Sequence, residues 1–300
     1  MITKKYYKLI RVSHADSEYF RITNVSNEIG EFSLYDTYFS GTLEYSTDGV
    51  TWETYNISTK PSVSVNPNAN IYLRGTNFKR ISSSTGGLTF TKDFNIGGNY
   101  LSILNYSTMQ SVNTIGGSNF YSIPFYNQTH LISAQNLNFG NVTSIGQNGL
   151  SNCFYGCSNL TNAPDLSNVT SIGQNGLSYC FNGCSNLTNA PDLSNVTSIR
   201  QSGLSNCFQN CSSLTTAPDL SNVTSIGQGG LSNCFSDCSK ISTVTAPNIS
   251  DLTANNVLSS WLQSAGTSAT GTKTVNVPTG ATIETNSTSG IPSGWTRVDY

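Results

Sequence analysis

Residues 177–199 read L-S-Y-C-F-N-G-C-S-N-L-T-N-A-P-D-L-S-N-V-T-S-I, and this phrase returns every 27 residues. A cysteine pair marks its register: Cys153/Cys157, Cys180/Cys184, Cys207/Cys211 and Cys234/Cys238. Each copy offers Leu177, Phe181, Leu187, Ala190, Leu193, Val196 and Ile199, or their counterparts, as apolar positions. One coil cannot hide all of these by itself. Stacked coils can, because each covers the open face of the next, and a fixed period of about 20–50 residues marks a solenoid. Inside a unit, the spacing from Leu177 to Cys184 predicts a short helical turn. Leu187 to Ala190 predicts a short strand, and Val196 to Ile199 a second extended piece. Pro164, Pro191 and Pro218 recur at the strand exit, where a missing N–H ends a ladder. A degenerate copy comes first: Phe125–Ala134 aligns with Phe154–Ala163, with Pro124 and Gln128 in place of the cysteines, which makes about five rungs.

Outward from the repeats the chain reads as mainly β. Residues 1–15 look like an N-terminal arm and 16–100 like an antiparallel β-sandwich that serves for attachment. In the sandwich, Leu43 and Tyr45 face Trp52 and Tyr55 across Asp48-Gly49, a hairpin signal. Val63 and Val65 return as Ile71 and Leu73 around Asn66-Pro67-Asn68, and Leu88 and Phe90 return as Phe94 and Ile96. The solenoid, a parallel sheet with short helical turns, takes 101–250, with the stretch between Gly98 and Phe120 expected to close its open end. Residues 251–300 form a C-terminal cap, in which Val257, Leu258, Trp261 and Leu262 predict a helix over Asn255–Gln263.

Composition narrows the function. Only 36% of residues are hydrophobic and 10% charged, so small polar side chains stacked rung on rung must carry the backbone, a stiff-rod recipe suited to extracellular or virion fibres. Net charge is −2 and the 14 basic residues are scattered, which speaks against nucleic acid. Lys4, Lys5 and Lys8 interrupt Met1–Val12, so no secretory apolar region is expected, and no stretch predicts membrane insertion. Export on an assembled particle reconciles a surface composition with that start.

Eight cysteines admit three readings: disulfides between rungs, zinc, or compact apolar filler. A pair at i and i+4 fits disulfide geometry poorly within one turn, and parallel rungs do not converge four ligands, so filler is expected, with no metal and no cofactor.

The phrase C-F-x-x-C-S-x-L-T-x-A-P-x-L-S-x-V-T-S-I resembles the BspA-like, Treponema-type leucine-rich repeats of bacterial surface proteins and phage genomes, over residues 120 to about 250. L-E-Y-S-T-D-G-V-T-W at 43–52, I-Y-L-R-G-T-N at 71–77 and S-G-I-P-S-G-W-T at 289–296 are similar to the flanks of such repeats in gut bacteria and their phages. The resemblance implies a right-handed solenoid that adheres or binds protein, and no catalysis.

Asp165, Asp192 and Asp219 share one repeat position, as do Asn168, Asn195 and Asn222. The first column is a calcium ladder or a solvated edge, and the second is expected to close backbone turns. The N-x-S/T triplets that begin at Asn141, Asn159 and Asn186 follow from the repeat rather than from glycosylation. His14 beside Asp16 and Glu18 suggests acid–base chemistry but has no nucleophile to serve, so no catalytic residue is assigned. The drifting positions are better candidates. Tyr155, Tyr179, Arg200 and Gln209 are residue types that stack on or hydrogen-bond sugars and proteins, and they form the expected ligand-binding set. The expected protein is a non-enzymatic phage virion fibre or decoration protein on the virion surface. Its N-terminal region contacts other virion proteins, its solenoid contacts host-surface glycan or protein, and a homo-oligomer is suggested by the class. A bacterial cell-surface adhesin is the alternative, and a polysaccharide-cleaving spike enzyme, which needs two facing acids, is a third reading.

Overall fold

A computed structural model describes residues 18–34, 39–80, 87–117 and 125–300. The arm at 1–15, His14 with Asp16, and Pro124 lie outside them. The chain divides into two compact units, one running to Val112 and including His130–Asn141, the other Asn113–Thr129 with Val142–Tyr300.

The first unit contains β1 (Phe20–Asn24), β2 (Gly30–Leu34), β3 (Phe39–Ser46), β4 (Glu53–Tyr55), β5 (Val63–Val65), β6 (Asn70–Arg80), β7 (Leu88–Phe90) and β8 (Phe94–Asn99). A helix at Tyr100–Asn105 follows; β9 (Thr114–Ile115) goes to the second unit, and β10 (Leu131–Asn138) returns to the first. One sheet has the order β10-β8-β1-β6-β3-β4 and the other β5-β2-β7. Alternation drives this: Phe20, Ile22 and Asn24 are buried along β1, as are Gly30, Phe32 and Leu34 along β2. The sheets meet through rings, Phe32 on Tyr55 at 5.6 Å and Phe90 on Phe94 at 5.2 Å between centroids. The expected β3–β4 hairpin forms, with Leu43 opposite Tyr55. Asp48 accepts the Val50 and Thr51 N–H groups at 2.8 and 2.7 Å to close its turn.

The other two expected hairpins are corners instead. β5 pairs with β2 while β6 pairs with β1 and β3, and β7 pairs with β2 while β8 pairs with β1 and β10. A turn signal fixes reversal but not whether the returning strand stays in its layer. Crossing to the other layer lets Phe90 and Phe94 face each other through the core rather than sit side by side. Fully buried Asn24 pins one corner, donating from Nδ2 to the Glu28 and Val65 carbonyls at 2.8 and 2.9 Å. The stretch expected to close the solenoid divides. The Tyr100–Asn105 helix belongs to the first unit, where Ser102 Oγ accepts the Phe20 N–H and donates to the Asn99 carbonyl, whereas β9 joins the repeat ladder.

In the second unit β11 (Ser144–Ile145), β12 (Ser171–Ile172), β13 (Ser198–Ile199) and β14 (Ser225–Ile226) stack with β9 as a five-stranded parallel sheet, isoleucine on isoleucine throughout and serine on serine except where Ser144 meets Thr114. A second ladder of single bridges runs Asn162, Asn189, Thr216, Thr243. It continues through the register slip into the parallel sheet β15 (Thr243–Thr245), β16 (Thr274–Val277) and β17 (Thr296–Asp299). Between the ladders the apolar positions meet their own copies. Phe154, Phe181, Phe208 and Phe235 stack at 5.3, 5.5 and 5.7 Å, with Phe125 at one end and Trp261 at the other. Phe125 thus takes the place that the degenerate first copy assigned it.

The helical turns are not helical. From Leu177 to Cys184 the N–H groups of Cys180, Asn182 and Cys184 bond three residues back, to Leu177, Tyr179 and Phe181. The intervening N–H groups of Leu177, Tyr179, Phe181 and Gly183 cross to Gly203, Ser205, Cys207 and Gln209 of the next rung. Every fourth residue, Asn175, Tyr179 and Gly183, has positive φ, as the third residue of a type II turn requires. A four-residue turn coil and a 3.6-residue helix bury nearly the same side chains, so the apolar spacing could not separate them. The helix expected at Asn255–Gln263 fails for the same reason. Only Ala254–Asn256 is 3₁₀, and Asn256, Ser260 and Ser264 have positive φ. Val257, Leu258, Trp261 and Leu262 are nonetheless buried. The carbonyls of Val257, Ser259, Trp261 and Gln263 must accept from the preceding rung at Leu231, Asn233, Phe235 and Asp237, and a helix would consume them internally.

Candidate ligand-binding surface of the solenoid

The cysteines belong to the frame. All eight are free thiols with their residues fully buried. The second of each pair donates its S–H to a phenylalanine carbonyl one rung back: Cys157 to Phe125, Cys184 to Phe154, Cys211 to Phe181 and Cys238 to Phe208, at 2.9 to 3.1 Å. Burial pushes Cys238 up to about 12 and holds Cys180, Cys184, Cys211 and Cys234 well above the ordinary thiol value. Among the described residues no three His, Cys, Asp or Glu side chains gather as a metal site.

The two exposed columns are also structural. Asp165, Asp192 and Asp219 each accept the N–H two residues on, from Ser167, Ser194 and Ser221, at 2.9 Å. That Ser194 N–H holds the Asp192 carboxyl below its usual range, the opposite of what a mutually repelling row would do. Asn195 and Asn222 donate to the Ser167 and Ser194 carbonyls at 2.8 and 2.7 Å, tying rung to rung.

The four residues of the expected ligand set fall on two parts of the rung. Tyr155, Tyr179 and Gln209 lie on the turn coil, while Arg200 follows β13 at the edge of the parallel sheet. Tyr155 stacks on Tyr126 with centroids 4.7 Å apart. Gln209 is engaged within the frame, its Oε1 accepting from Asn182 Nδ2 at 2.9 Å. Tyr179 is different. Its φ is +58°, a conformation that Asn152, Asn206 and Asn233 take in the other rungs, and the residue is 39% exposed. Asparagine tolerates that backbone, whereas tyrosine adopts it only at a cost.

Arg200 stands where Gly146, Gly173 and Gly227 stand in the other rungs. It borders two grooves along the sheet, of about 470 and 360 Å³. Beside it runs a column that sequence reading passed over, Gln147, Gln174 and Gln201, all exposed, with Ser144, Ser171 and Ser198 on the strands. The available signal was that these polar positions stay fixed from rung to rung while others drift.

The sequence matches the family model described as BspA type leucine rich repeat region, in six copies over 75–215 and 122–258, together more than half of the chain. This chain belongs to the BspA type leucine-rich repeat family. Among solved structures, this BspA type chain is similar to the T. pallidum leucine rich repeat protein, with 21% identity, 49% of this chain and 58% of that one covered and a TM-score of 0.28. It is also similar to a leucine rich cell surface protein from Faecalibacterium prausnitzii A2-165, with 16% identity, 69% and 70% covered and a TM-score of 0.25. The chain thus spans 58% of the T. pallidum protein's length. No curated protein matches it.

Proposed function

We propose that this BspA type protein is a non-enzymatic adhesin displayed on a bacterial cell surface. The solenoid carries the ligand surface and the first unit serves for attachment. The observation that carries this reading is the division of labour in the repeats. Buried positions, Asn195, Asn222 and the second cysteine of each pair hold rungs together and the Asp column closes turns within its rung, whereas Tyr179 and Arg200 depart from their columns toward larger, contact-making side chains. Membership of the BspA type family, whose resemblance implies adhesion at bacterial surfaces, supports this reading.

The test is adhesion of the full chain, fluorescently labelled, to bacterial and host cells, with Tyr179→Asn and Arg200→Gly alongside. Saturable binding weakened by either substitution supports an adhesin. Chain shortening of a surface polysaccharide by the protein would overturn the non-enzymatic reading, and recovery of the protein from purified phage particles rather than cell envelopes would restore the virion one.

A further inference from the structure

Arg200 is the one charged side chain lining either sheet groove; every other lining residue is Ser, Gln, Ile or Gly. Among the described residues its guanidinium has no hydrogen-bond or ion-pair partner, and neither do the side-chain amides of Gln147, Gln174 and Gln201. The asparagines of the rungs contrast with them, since Asn182, Asn195 and Asn222 are all engaged in holding neighbours. The grooves therefore offer a cation without a counter-charge, flanked by free amide donors and acceptors repeated at the roughly 4.8 Å spacing of adjacent strands. Such a surface suits an extended polymer that presents hydroxyls at regular intervals and carries an anion. It has no aromatic anchor or deep apolar pocket of the kind that dominates protein recognition.

We propose that the grooves on either side of Arg200 bind an extended, carboxylate-bearing glycan. The guanidinium pairs with a sugar carboxylate, and Gln147, Gln174 and Gln201 bond the hydroxyls of flanking residues. The assignment rests on the adhesive reading and names the ligand class of its sheet face.

The experiment compares binding of the full chain to immobilised polygalacturonate and to the same polymer fully methyl-esterified, whose backbone is equal and whose charge is gone. Arg200→Gly is the variant, since Gly173 and Gly227 already occupy that position in adjacent rungs and no new backbone is asked for. The expected result is polygalacturonate bound about tenfold or more tightly than its ester, with the preference lost in Arg200→Gly. Gln174→Ala with Gln201→Ala should weaken binding to both polymers. Equal binding to both polymers, binding to neither, or a preference that survives Arg200→Gly overturns the proposal. Arg200-dependent binding of polyglutamate with none of polygalacturonate overturns it in favour of an acidic protein. Cell adhesion that persists in Arg200→Gly while polygalacturonate binding is absent would leave the adhesin standing and remove this groove from it.

Discussion

The two units solve the same problem by opposite means. In the first, buried polar groups are satisfied one at a time: Asn24 reaches the Glu28 and Val65 carbonyls, Tyr55 bonds Leu34 and Pro61, and Ser102 bonds Phe20 and Asn99. Among the described residues none of these contacts recurs at a fixed period. In the second, one solution recurs in successive rungs, serine over serine, phenylalanine over phenylalanine, thiol to carbonyl. The lesson is that repetition lets a chain with 10% charge and 36% hydrophobic residues build a dry interior from weak parts. A single stacked contact satisfies little, but it recurs.

Alkali should break the comparison most forcibly. The folded second unit keeps its thiols protonated, with Cys157, Cys180, Cys184, Cys207, Cys211, Cys234 and Cys238 all raised by burial above the ordinary 9.0. The stability this confers is complete below the unfolded thiol's value and drains away as pH rises through the window above it, by about 1.4 kcal/mol per thiol per pH unit. The first unit has no cysteine. Calorimetry at about pH 8 and about pH 10 should therefore show the second unit's transition collapse while the first unit's shifts little. Transitions that fall together would refute the contrast.

Removing one stacked ring comes next. Phe181→Ala should cost about 3–5 kcal/mol, and Phe94→Ala a similar amount in the first unit. Hydrogen exchange separates them: loss of Phe181 should loosen the rungs of Phe154 and Phe208 first and spread along the stack, whereas loss of Phe94 should lower protection across its unit together. A smaller pair compares the polar devices. Asn24→Ala leaves the Val65 carbonyl in the core and should cost about 1–3 kcal/mol, and Cys184→Ala, which removes one of two hydrogen bonds from the Phe154 carbonyl and leaves that of the Cys157 N–H, a lesser amount by chemical denaturation. The smallest effect has the opposite sign. Tyr179→Asn relieves a left-handed tyrosine and should stabilise by about 0.5–1 kcal/mol while weakening adhesion, the signature of a side chain kept for contact rather than for folding.

Much of the second unit was legible because its signal is periodic. The 27-residue return and the buried Leu177, Phe181, Leu187 and Ile199 follow from counting apolar positions. The side chains proposed to make contact were legible only as departures. Tyr179 and Arg200 differ from their columns, but the sequence could not tell that Gln209 was tied to Asn182 or that Gln174 and Gln201 were free, since that depends on which neighbour each amide reaches.

What the sequence by itself determined, then, is that coils stack, and where: hydrophobic burial scales with area and needs only the spacing of apolar residues. What the tertiary structure alone decided is the path of the backbone between them. Turn coil replaced helix at Leu177–Cys184 and Asn255–Gln263, and corners replaced hairpins at Val65 and Phe90, because each choice depends on where the N–H and C=O groups find partners in another rung or another layer. No local pattern of side chains carries that information.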